Sequence, residues 1–188
     1  MEVIICHRTN EVNDEQLTEL LHLAYGEWRE KNINFSAASQ TVQETKQRLQ
    51  GMSNLVAFYD GKLVGTISYS LVKNEKAFFC MFAVRPEYKN QKIGSKLLST
   101  VEKIAFENNV EYITMDTSKR AKRLIKLYVR RGYLKRKVVQ YSNTNYTSIV
   151  FRKYIKAKAR PFECMVMYML SYVRLCLSKI KRALKGKK

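Results

Sequence analysis

Three lysines and a glycine occupy the turn between a predicted strand and a predicted helix, in the stretch VRPEYKNQKIGSKLL at 84–98. The start of a helix presents backbone N–H groups without partners inside the helix, at the positive end of the helix dipole. Gly94 allows a ligand to approach the main chain. The lysines, Lys89, Lys92 and Lys96, add positive charge. The turn therefore indicates a pyrophosphate site, although on these grounds alone a solvated surface turn is the more common explanation.

The same stretch resembles the acetyl-CoA signature of the GCN5-related N-acetyltransferase (GNAT) superfamily. Members carry V-x-P-E-Y, then Q/R-x-x-G-x-G/A, then a leucine-rich helix. When the two are aligned on P-E-Y, Lys89 takes the Q/R position, Lys92 the first glycine and Gly94 the second. Lys92 departs from the motif, because a lysine there needs either a negative φ or some strain.

The resemblance implies acetyl-CoA as co-substrate, no metal, and a cofactor held mainly by the main chain. Backbone groups of one strand would pair with the pantetheine, amides of the turn would take the pyrophosphate, and Arg130 or Arg131 of the later basic segment would meet the 3′-phosphate. The cofactor-binding residues expected on this basis are Phe82, Ala83, Val84, Lys89, Asn90, Gln91, Lys92, Ile93, Gly94, Ser95 and Arg131.

A second match lies in LIKLYVRRGYLK at 124–135, which is similar to the L-Y-x-x-x-G-F segment of the same superfamily. It places Tyr128 on the catalytic tyrosine and Gly132-Tyr133 on Gly-Phe. By this resemblance, Tyr128 donates a proton or a hydrogen bond to the sulfur of coenzyme A while an amine attacks the thioester directly. Without the motif, a tyrosine on an apolar helix face is usually plain core.

The general base is harder to identify, because the strand at 77–84 contains neither Glu nor His. Asp116 matches a glutamate that serves as base in the ribosomal-protein acetylating branch of the superfamily. Aspartate is one methylene shorter and would act through a water. The alternative interpretation is that Asp116 only caps the helix that begins near Lys119. More remote candidates are Glu27, His22 and Tyr69.

Hydrophobic patterning and turn residues predict the element order β-α-α-β-β-β-α-β-α-β-β, an α/β (α+β) mixed sheet with helices on its faces. Asn13 or Asp14 caps a first helix that ends at Tyr25, 26–38 is irregular, and a second helix over 39–50 has its cap near Ser39 or Thr41. The two strands of 54–72 meet at Asp60-Gly61, where both residues tolerate positive φ. We expect a GNAT N-acetyltransferase domain over 1–156 and a basic amphipathic helix over 157–188.

The charged residues are distributed unevenly along the chain. Residues 119–188 hold 22 Lys or Arg and a single acid, Glu163, and the segment 119–137 alone has ten of these cations. Within 162–188, polar residues share one narrow helical stripe beside a wide apolar face. That pattern suits a helix lying in an anionic membrane interface. A helix packed on the domain, or on its copy in a homodimer, is the more common outcome for such a tail.

These features favour an acetyltransferase for a small-molecule amine, such as an amino sugar. A protein N-terminal or lysine acetyltransferase is the alternative, although the basic second half would repel a basic acceptor. A third hypothesis is a non-catalytic module that binds nucleic acid or membrane, with nucleic acid the less favoured partner. The N-terminus does not resemble a signal peptide, and the cysteines lack metal-like spacing. We therefore expect a cytoplasmic protein, with peripheral contact at the inner face of the membrane if the tail is interfacial.

Overall fold

The computed structural model describes residues 2–155. It contains a seven-stranded sheet and four α-helices, and the predicted element order is confirmed. The strands are β1 (Val3–His7), β2 (Ser53–Tyr59), β3 (Lys62–Val72), β4 (Lys76–Val84), β5 (Tyr112–Ser118), β6 (Leu134–Gln140) and β7 (Thr147–Tyr154). The helices are α1 (Asp14–Glu30), α2 (Val42–Leu49), α3 (Ile93–Glu107) and α4 (Lys122–Arg130).

The strands lie side by side in the order β1-β2-β3-β4-β5-β7-β6. Neighbours are antiparallel except for β4 and β5, which are parallel because α3 connects them. The hairpin between β2 and β3 turns at Asp60 and Gly61, whose φ angles of 50° and 72° confirm the predicted left-handed turn. The sheet is therefore the predicted mixed one, with β7 inserted between β5 and β6.

Both N-terminal helices begin at predicted caps. The Asn13 side chain accepts a hydrogen bond from the Gln16 amide at 2.8 Å, and Thr41 caps α2 in the same manner through Glu44. The expected end of α1 at Tyr25 was wrong, since the helix continues to Glu30. It continues because Trp28, only 5% exposed, extends the apolar face into a buried cluster.

Helix α3 packs closely against one face of the sheet. Leu97, Leu98 and Val101 of α3 are fully or almost fully buried in the main hydrophobic core. The helix approaches β3 at Gly65, where an added Cβ would lie 3.1 Å from a Leu97 methyl carbon and 3.2 Å from the Ala83 carbonyl oxygen. Gly65 is therefore a contact point between strand and helix.

One extra residue in β4 interrupts its pairing with both neighbours. Opposite β3, the register moves by three residues along β4, from Cys80 to Ala83, while β3 advances by only two. Met81 sits in this bulge with a φ of 45°. On the other side, β4 pairs with β5 only at Lys76–Phe78. The two parallel strands separate beyond that point and leave an open edge.

The turn before α3 resolves the question raised by Lys92. This residue precedes the helix with a φ of 62° and a ψ of 6°, so lysine adopts the left-handed conformation typical of the glycine that it replaces. Asn90, two residues earlier, is left-handed as well, at 68°. The sequence predicted either a negative φ or some strain at Lys92, and the positive φ is the strained alternative.

The expected C-terminal helix over 157–188 lies outside the described residues, and so does the boundary expected at 156. Among residues 2–155, no helix has the length and hydropathy that crossing a bilayer requires.

Replacing Gly65 by alanine is expected to destabilise the domain by about 1–3 kcal/mol, because the added methyl group overpacks the contact with α3. Urea denaturation measures the change in the free energy of unfolding. Gly26→Ala is the matched control. Gly26 lies within α1 with open space at its Cβ position, so alanine there should stabilise by about 0.5–1 kcal/mol. Equal changes in the free energy of unfolding for Gly65→Ala and Gly26→Ala would contradict a close approach of α3 to Gly65.

Replacing Lys92 by glycine is expected to raise the free energy of unfolding by up to about 1 kcal/mol. The substitution removes the strain of a left-handed lysine, which exceeds the added flexibility of the unfolded chain. Lys96→Gly is the control, because Lys96 is an exposed residue inside α3 and glycine there should lose about 1 kcal/mol. Destabilisation by both substitutions would show that Lys92 is not strained.

Candidate active site

A cleft of about 450 Å³ opens where β4 and β5 separate. Its floor is formed by Phe79–Val84 of β4 and Met115–Thr117 of β5. The second half of α1, the start of α3 and one face of α4 complete the walls. Because the cleft is the gap between two strands of one sheet, it has main-chain groups along its floor and side chains from all four α-helices around it, with Arg48 from α2.

Unpaired backbone amides gather at the end of the cleft nearest α3. Within residues 2–155, none of the amides from 90 to 95 donates a hydrogen bond, and α3 has no side-chain cap. Asn90 and Lys92 are left-handed on either side of Gln91, and successive N–H groups in such a turn form a concave set that suits an anion. The first turn of α3 contributes the positive end of its dipole. This end of the cleft fits a diphosphate.

Gly94 packs the start of α3 against β4. A Cβ at this position would lie 3.1 Å from the ring carbon Cζ of Phe82 and 3.5 Å from a methyl group of Val84. The missing side chain therefore makes room for the strand beneath the helix as well as for a ligand above the main chain. Both neighbours line the cleft, so a larger residue at 94 would displace its floor.

The floor itself presents a strand edge that β5 no longer covers. Phe82, Ala83 and Val84 lie beyond the last β4–β5 pair and all line the cleft. The Phe82 carbonyl accepts a hydrogen bond from the Tyr25 hydroxyl at 3.1 Å. Burial raises the pKa of Tyr25 well above its ordinary value, so this hydroxyl remains a donor. An extended ligand can pair with this edge as another strand would.

Tyr128 reaches the cleft from α4 through an aromatic cluster. Its side chain is 3% exposed, and its ring lies about 6 Å from the rings of Phe79, Tyr133 and Phe151. The hydroxyl has no hydrogen-bond partner within the described residues. Burial raises the pKa of Tyr128 well above its usual 10.0, with the nearby Tyr25 and Asp116 adding to the effect. Tyr128 is thus held rigidly, protonated and free to donate.

Asp116 faces the same cleft from β5, twelve residues before Tyr128 in the chain. Its carboxylate forms no hydrogen bond or ion pair with any residue from 2 to 155. The amides at the start of α4 do not contact it, and the nearby Arg120 amide is instead held by Ser118. Asp116 is therefore not a helix cap. It is an acceptor open to a bound molecule.

Glu27 forms an ionic cluster at the mouth of the cleft. Its carboxylate lies 3.0 Å from the Lys89 ammonium and 3.7 Å from the Arg123 guanidinium, and Lys31 is 4.0 Å away. The cluster joins α1 to the turn before α3 and to α4. Glu27 is thus engaged by cations, and its carboxylate holds Lys89 at the mouth of the cleft.

The opposite half of the cleft is aromatic. Phe35 packs edge-on against Tyr25 and Trp28, with ring centroids at 5.5 and 5.8 Å, and against Tyr146 at 5.1 Å. All four rings line the cleft, and Arg48 of α2 lines it beside them. This half provides an apolar surface with one cation, next to the Asp116 carboxylate.

Most of the residues expected from sequence meet in this cleft. Two expected cofactor residues do not line it. Gln91 is exposed, and Arg131 instead binds Glu102 at 2.9 Å and Ser99 at 2.8 Å. We therefore leave both side chains out of the proposed site. The residues that do line the cleft are Asp116, Tyr128, Phe82, Ala83, Val84, Lys89, Asn90, Lys92, Ile93, Gly94 and Ser95.

Of the remote base candidates, only Glu27 lines the cleft. A ring nitrogen of His22 lies 2.8 Å from the Gln40 carbonyl oxygen, and Tyr69 is 4% exposed within the core. The sequence did not point to Phe35, Tyr146 or Arg48, which line the aromatic half of the cleft. They lie in the first third of the chain and in the last hairpin turn, where no motif singles them out. Residues 2–155 contain no cluster of His, Cys, Asp or Glu suited to a metal ion.

Comparisons with known proteins agree with this geometry. The model of the acetyltransferase (GNAT) family matches residues 16–133. An S-alkylcysteine N-acetyltransferase of Bacillus subtilis (strain 168) is 31% identical over 127 residues, which are 63% of this chain and 71% of the relative. An S-(2-succino)cysteine N-acetyltransferase of the same organism is 27% identical over 129 residues, covering 64% and 78% of the two chains.

The fold is also that of solved acetyltransferases. A GNAT family acetyltransferase from Elizabethkingia anophelis, crystallised with acetyl-CoA bound, superposes with a TM-score of 0.62 at 16% identity. The match covers 81% of this chain and 97% of that one. The family model spans more than half of the chain and both sequence motifs. The chain therefore belongs to the GNAT acetyltransferase family, and it is an N-acetyltransferase that uses acetyl-CoA.

Proposed function

We propose that this enzyme acetylates the primary amine of a small molecule in the cleft between β4 and β5. The observation that carries the proposal is convergence. Unpaired amides, a protonated tyrosine and an unpaired carboxylate, from three different elements, all face one cavity of small-molecule size. Direct transfer needs these three groups: one set to hold the donor, one acid and one base.

The cofactor would be held at the α3 end of the cleft. Backbone amides from 90 to 95 would bind its pyrophosphate, with Lys89 and Lys92 adding charge, and the edge at Phe82–Val84 would pair with its pantetheine arm. Acetyl-CoA supplies the activated acetyl group. Since the main chain makes most of these contacts, lysine at a glycine position is tolerated, provided that it adopts the left-handed backbone observed at Lys92.

Tyr128 would stabilise the departing sulfur. Tyr128 lines the cleft, no acceptor of the described residues takes its hydroxyl proton, and burial keeps the hydroxyl protonated. As the carbon–sulfur bond breaks, the hydroxyl donates a hydrogen bond or its proton to the thiolate. The aromatic rings around Tyr128 hold its side chain in place and exclude water, which strengthens the interaction.

Asp116 would accept the proton that the ammonium group of the acceptor must lose. The carboxylate has no partner among residues 2–155, whereas Glu27, which also lines the cleft, is engaged by Lys89 and Arg123. The short side chain of aspartate favours transfer through one water, as its residue type suggested. The new carbon–nitrogen bond then forms as the acetyl group leaves sulfur.

The acceptor is the open part of the proposal. Both curated relatives are named for S-substituted cysteines, and an amino acid of this kind is the first acceptor that we would test. An amino sugar remains a prediction, as does a protein acceptor. The cytoplasmic location, the membrane or dimer contact of the tail, and the domain boundary at 156 remain predictions too.

The phenylalanine variant of Tyr128 is expected to reduce kcat by about a hundredfold, because the departing sulfur loses its donor. Thiol release from acetyl-CoA in a screen of amine acceptors gives the rate, and calorimetry gives the affinity for coenzyme A. Affinity should change by less than about threefold, since the main chain binds the cofactor.

Tyr69→Phe is the control for this experiment, because Tyr69 is a buried tyrosine outside the cleft. It should retain the parental rate. An unchanged rate in Tyr128→Phe would remove its role. Absence of coenzyme A binding by the folded parent protein would overturn the cofactor site as a whole.

The asparagine variant of Asp116 is expected to lower kcat/KM by about a hundredfold near neutral pH, where the acceptor amine is protonated. The deficit should shrink as pH rises toward the pKa of the acceptor, because a free amine needs no base. Rates across a pH series measure this convergence. Asp60→Asn, in the exposed turn between β2 and β3, is the control. A deficit that stays constant with pH would make Asp116 a structural residue.

A further inference from the structure

Arg48 is a cation in the aromatic half of the cleft, and no acid of residues 2–155 pairs with it. It lies near the end of α2 and lines the same cavity as Asp116. No carboxylate of residues 2–155 lies within 4 Å of its guanidinium. Glu44, one helical turn earlier, is held by the Thr41 amide at 2.6 Å and by the Thr41 hydroxyl at 3.0 Å. The charge of Arg48 therefore remains available to a ligand.

The guanidinium of Arg48 is nonetheless held in place. It donates to the side-chain oxygen of Gln40 at 2.5 Å, and Gln40 is 4% exposed. The amide nitrogen of Gln40 in turn donates to Thr45 at 2.7 Å, and the Thr18 hydroxyl lies 2.7 Å from Thr45. A buried polar chain thus fixes one N–H of a group that has five. Within residues 2–155 its other donors have no partner, which leaves them for the fork geometry that matches a carboxylate.

Arg48 and Asp116 act on the same surface with opposite sign. Burial raises the pKa of Cys80 to about 11 and that of Tyr146 to about 12. At both groups, the nearby Arg48 opposes the rise and Asp116 reinforces it. Arg48 and Asp116 also line the same cavity as Cys80 and Tyr146, which places both charges on one cleft. A cation and an anion placed in this way are complementary to a zwitterion, in which a carboxylate and an ammonium are joined by a short chain.

The third component of this region is the aromatic cluster of Phe35, Tyr25, Trp28 and Tyr146. Phe35 is central to it, because the centroid of its ring lies within 6 Å of the centroids of the other three rings. Such a surface gains free energy by covering apolar atoms, and its rings bring few hydrogen-bonding groups to satisfy the many hydroxyls of a sugar. The three features together define a ligand with a carboxylate, an amine and an apolar substituent.

We infer that Arg48 binds the carboxylate of the acceptor, and that the acceptor is an α-amino acid whose apolar side chain packs on the Phe35 cluster. The inference rests on the proposed function. It assigns specificity to a residue outside both sequence motifs. It also separates the acceptors: amino acids and S-substituted cysteines carry the carboxylate, and neutral amino sugars do not.

The test compares acceptors that differ by one group, with Arg48 intact or replaced. The acceptors are S-benzyl-L-cysteine, its decarboxylated analogue S-benzylcysteamine, and glycine, which keeps the carboxylate and lacks the side chain. We expect kcat/KM to fall by about tenfold to a hundredfold on loss of the carboxylate, the range of a charge-assisted hydrogen bond. Glycine should be poorer than S-benzyl-L-cysteine by at least about tenfold.

In Arg48→Gln, the preference for S-benzyl-L-cysteine over S-benzylcysteamine should collapse to within about threefold, mainly through a higher KM. Arg48→Lys should retain an intermediate preference, because it keeps the charge and loses the fork. Lys46→Gln is the matched control, an exposed cation of α2 that does not line the cleft, and it should keep the parental preference. Coenzyme A affinity, measured on each variant, should not follow the change in preference.

Two failures are distinguishable. If the parent enzyme acetylates neither these amines nor an amino sugar, the proposed function itself fails. If it acetylates S-benzylcysteamine or glucosamine as efficiently as S-benzyl-L-cysteine, the function stands and the assignment of Arg48 is overturned. The assignment is also overturned if Arg48→Gln lowers the rates for the amino acid and the decarboxylated amine by equal factors, since that pattern shows a structural role.

Discussion

The parallel pairing between β4 and β5 lasts for three residue pairs, and the site depends on where that pairing ends. Past Phe78 the strands separate, and the sheet leaves main-chain groups without partners in a concave, largely apolar setting. Buried backbone groups need hydrogen bonds, so an exposed edge of this kind favours an extended ligand. The bulge at Met81 lies in the strand that forms the floor of this gap, and α3 and α4 enclose the gap. The proposed cofactor site thus depends on the sheet as well as on the turn before α3.

Backbone strain is concentrated at this cleft. Among the described residues, the non-glycine positions with positive φ are mostly Asn or Asp, which tolerate the left-handed region. The two exceptions are Met81 and Lys92, and both line the cleft. One bends the strand that forms the floor, and the other orients the amides before α3. Strain of this kind persists only where the surrounding packing enforces it. Here Gly94, packed on Phe82, fixes the helix start that Lys92 must enter.

The charges of the cleft are arranged by role. At the α3 end, Lys89 and the free amides provide positive potential, and Glu27 keeps Lys89 from standing as a lone, half-buried cation. At the other end, Arg48 and Asp116 lack charged partners within residues 2–155. Paired groups such as Lys89 and Glu27 organise the structure, whereas unpaired groups facing a cavity are those left to recognise a ligand or exchange protons with it.

The sequence by itself determined the element order, the hairpin at Asp60-Gly61, the family and the positions of Tyr128 and of the turn before α3. Local rules suffice for these, because turn residues, caps and motif spacing are short-range properties. Tertiary structure decided the rest. Arg131 pairs with Glu102 and Ser99 and does not line the cleft, whereas Arg48, Phe35 and Tyr146 line it from segments without a motif. Which side chains share a cleft depends on long-range packing, and a linear pattern does not encode which charges find partners when the chain folds.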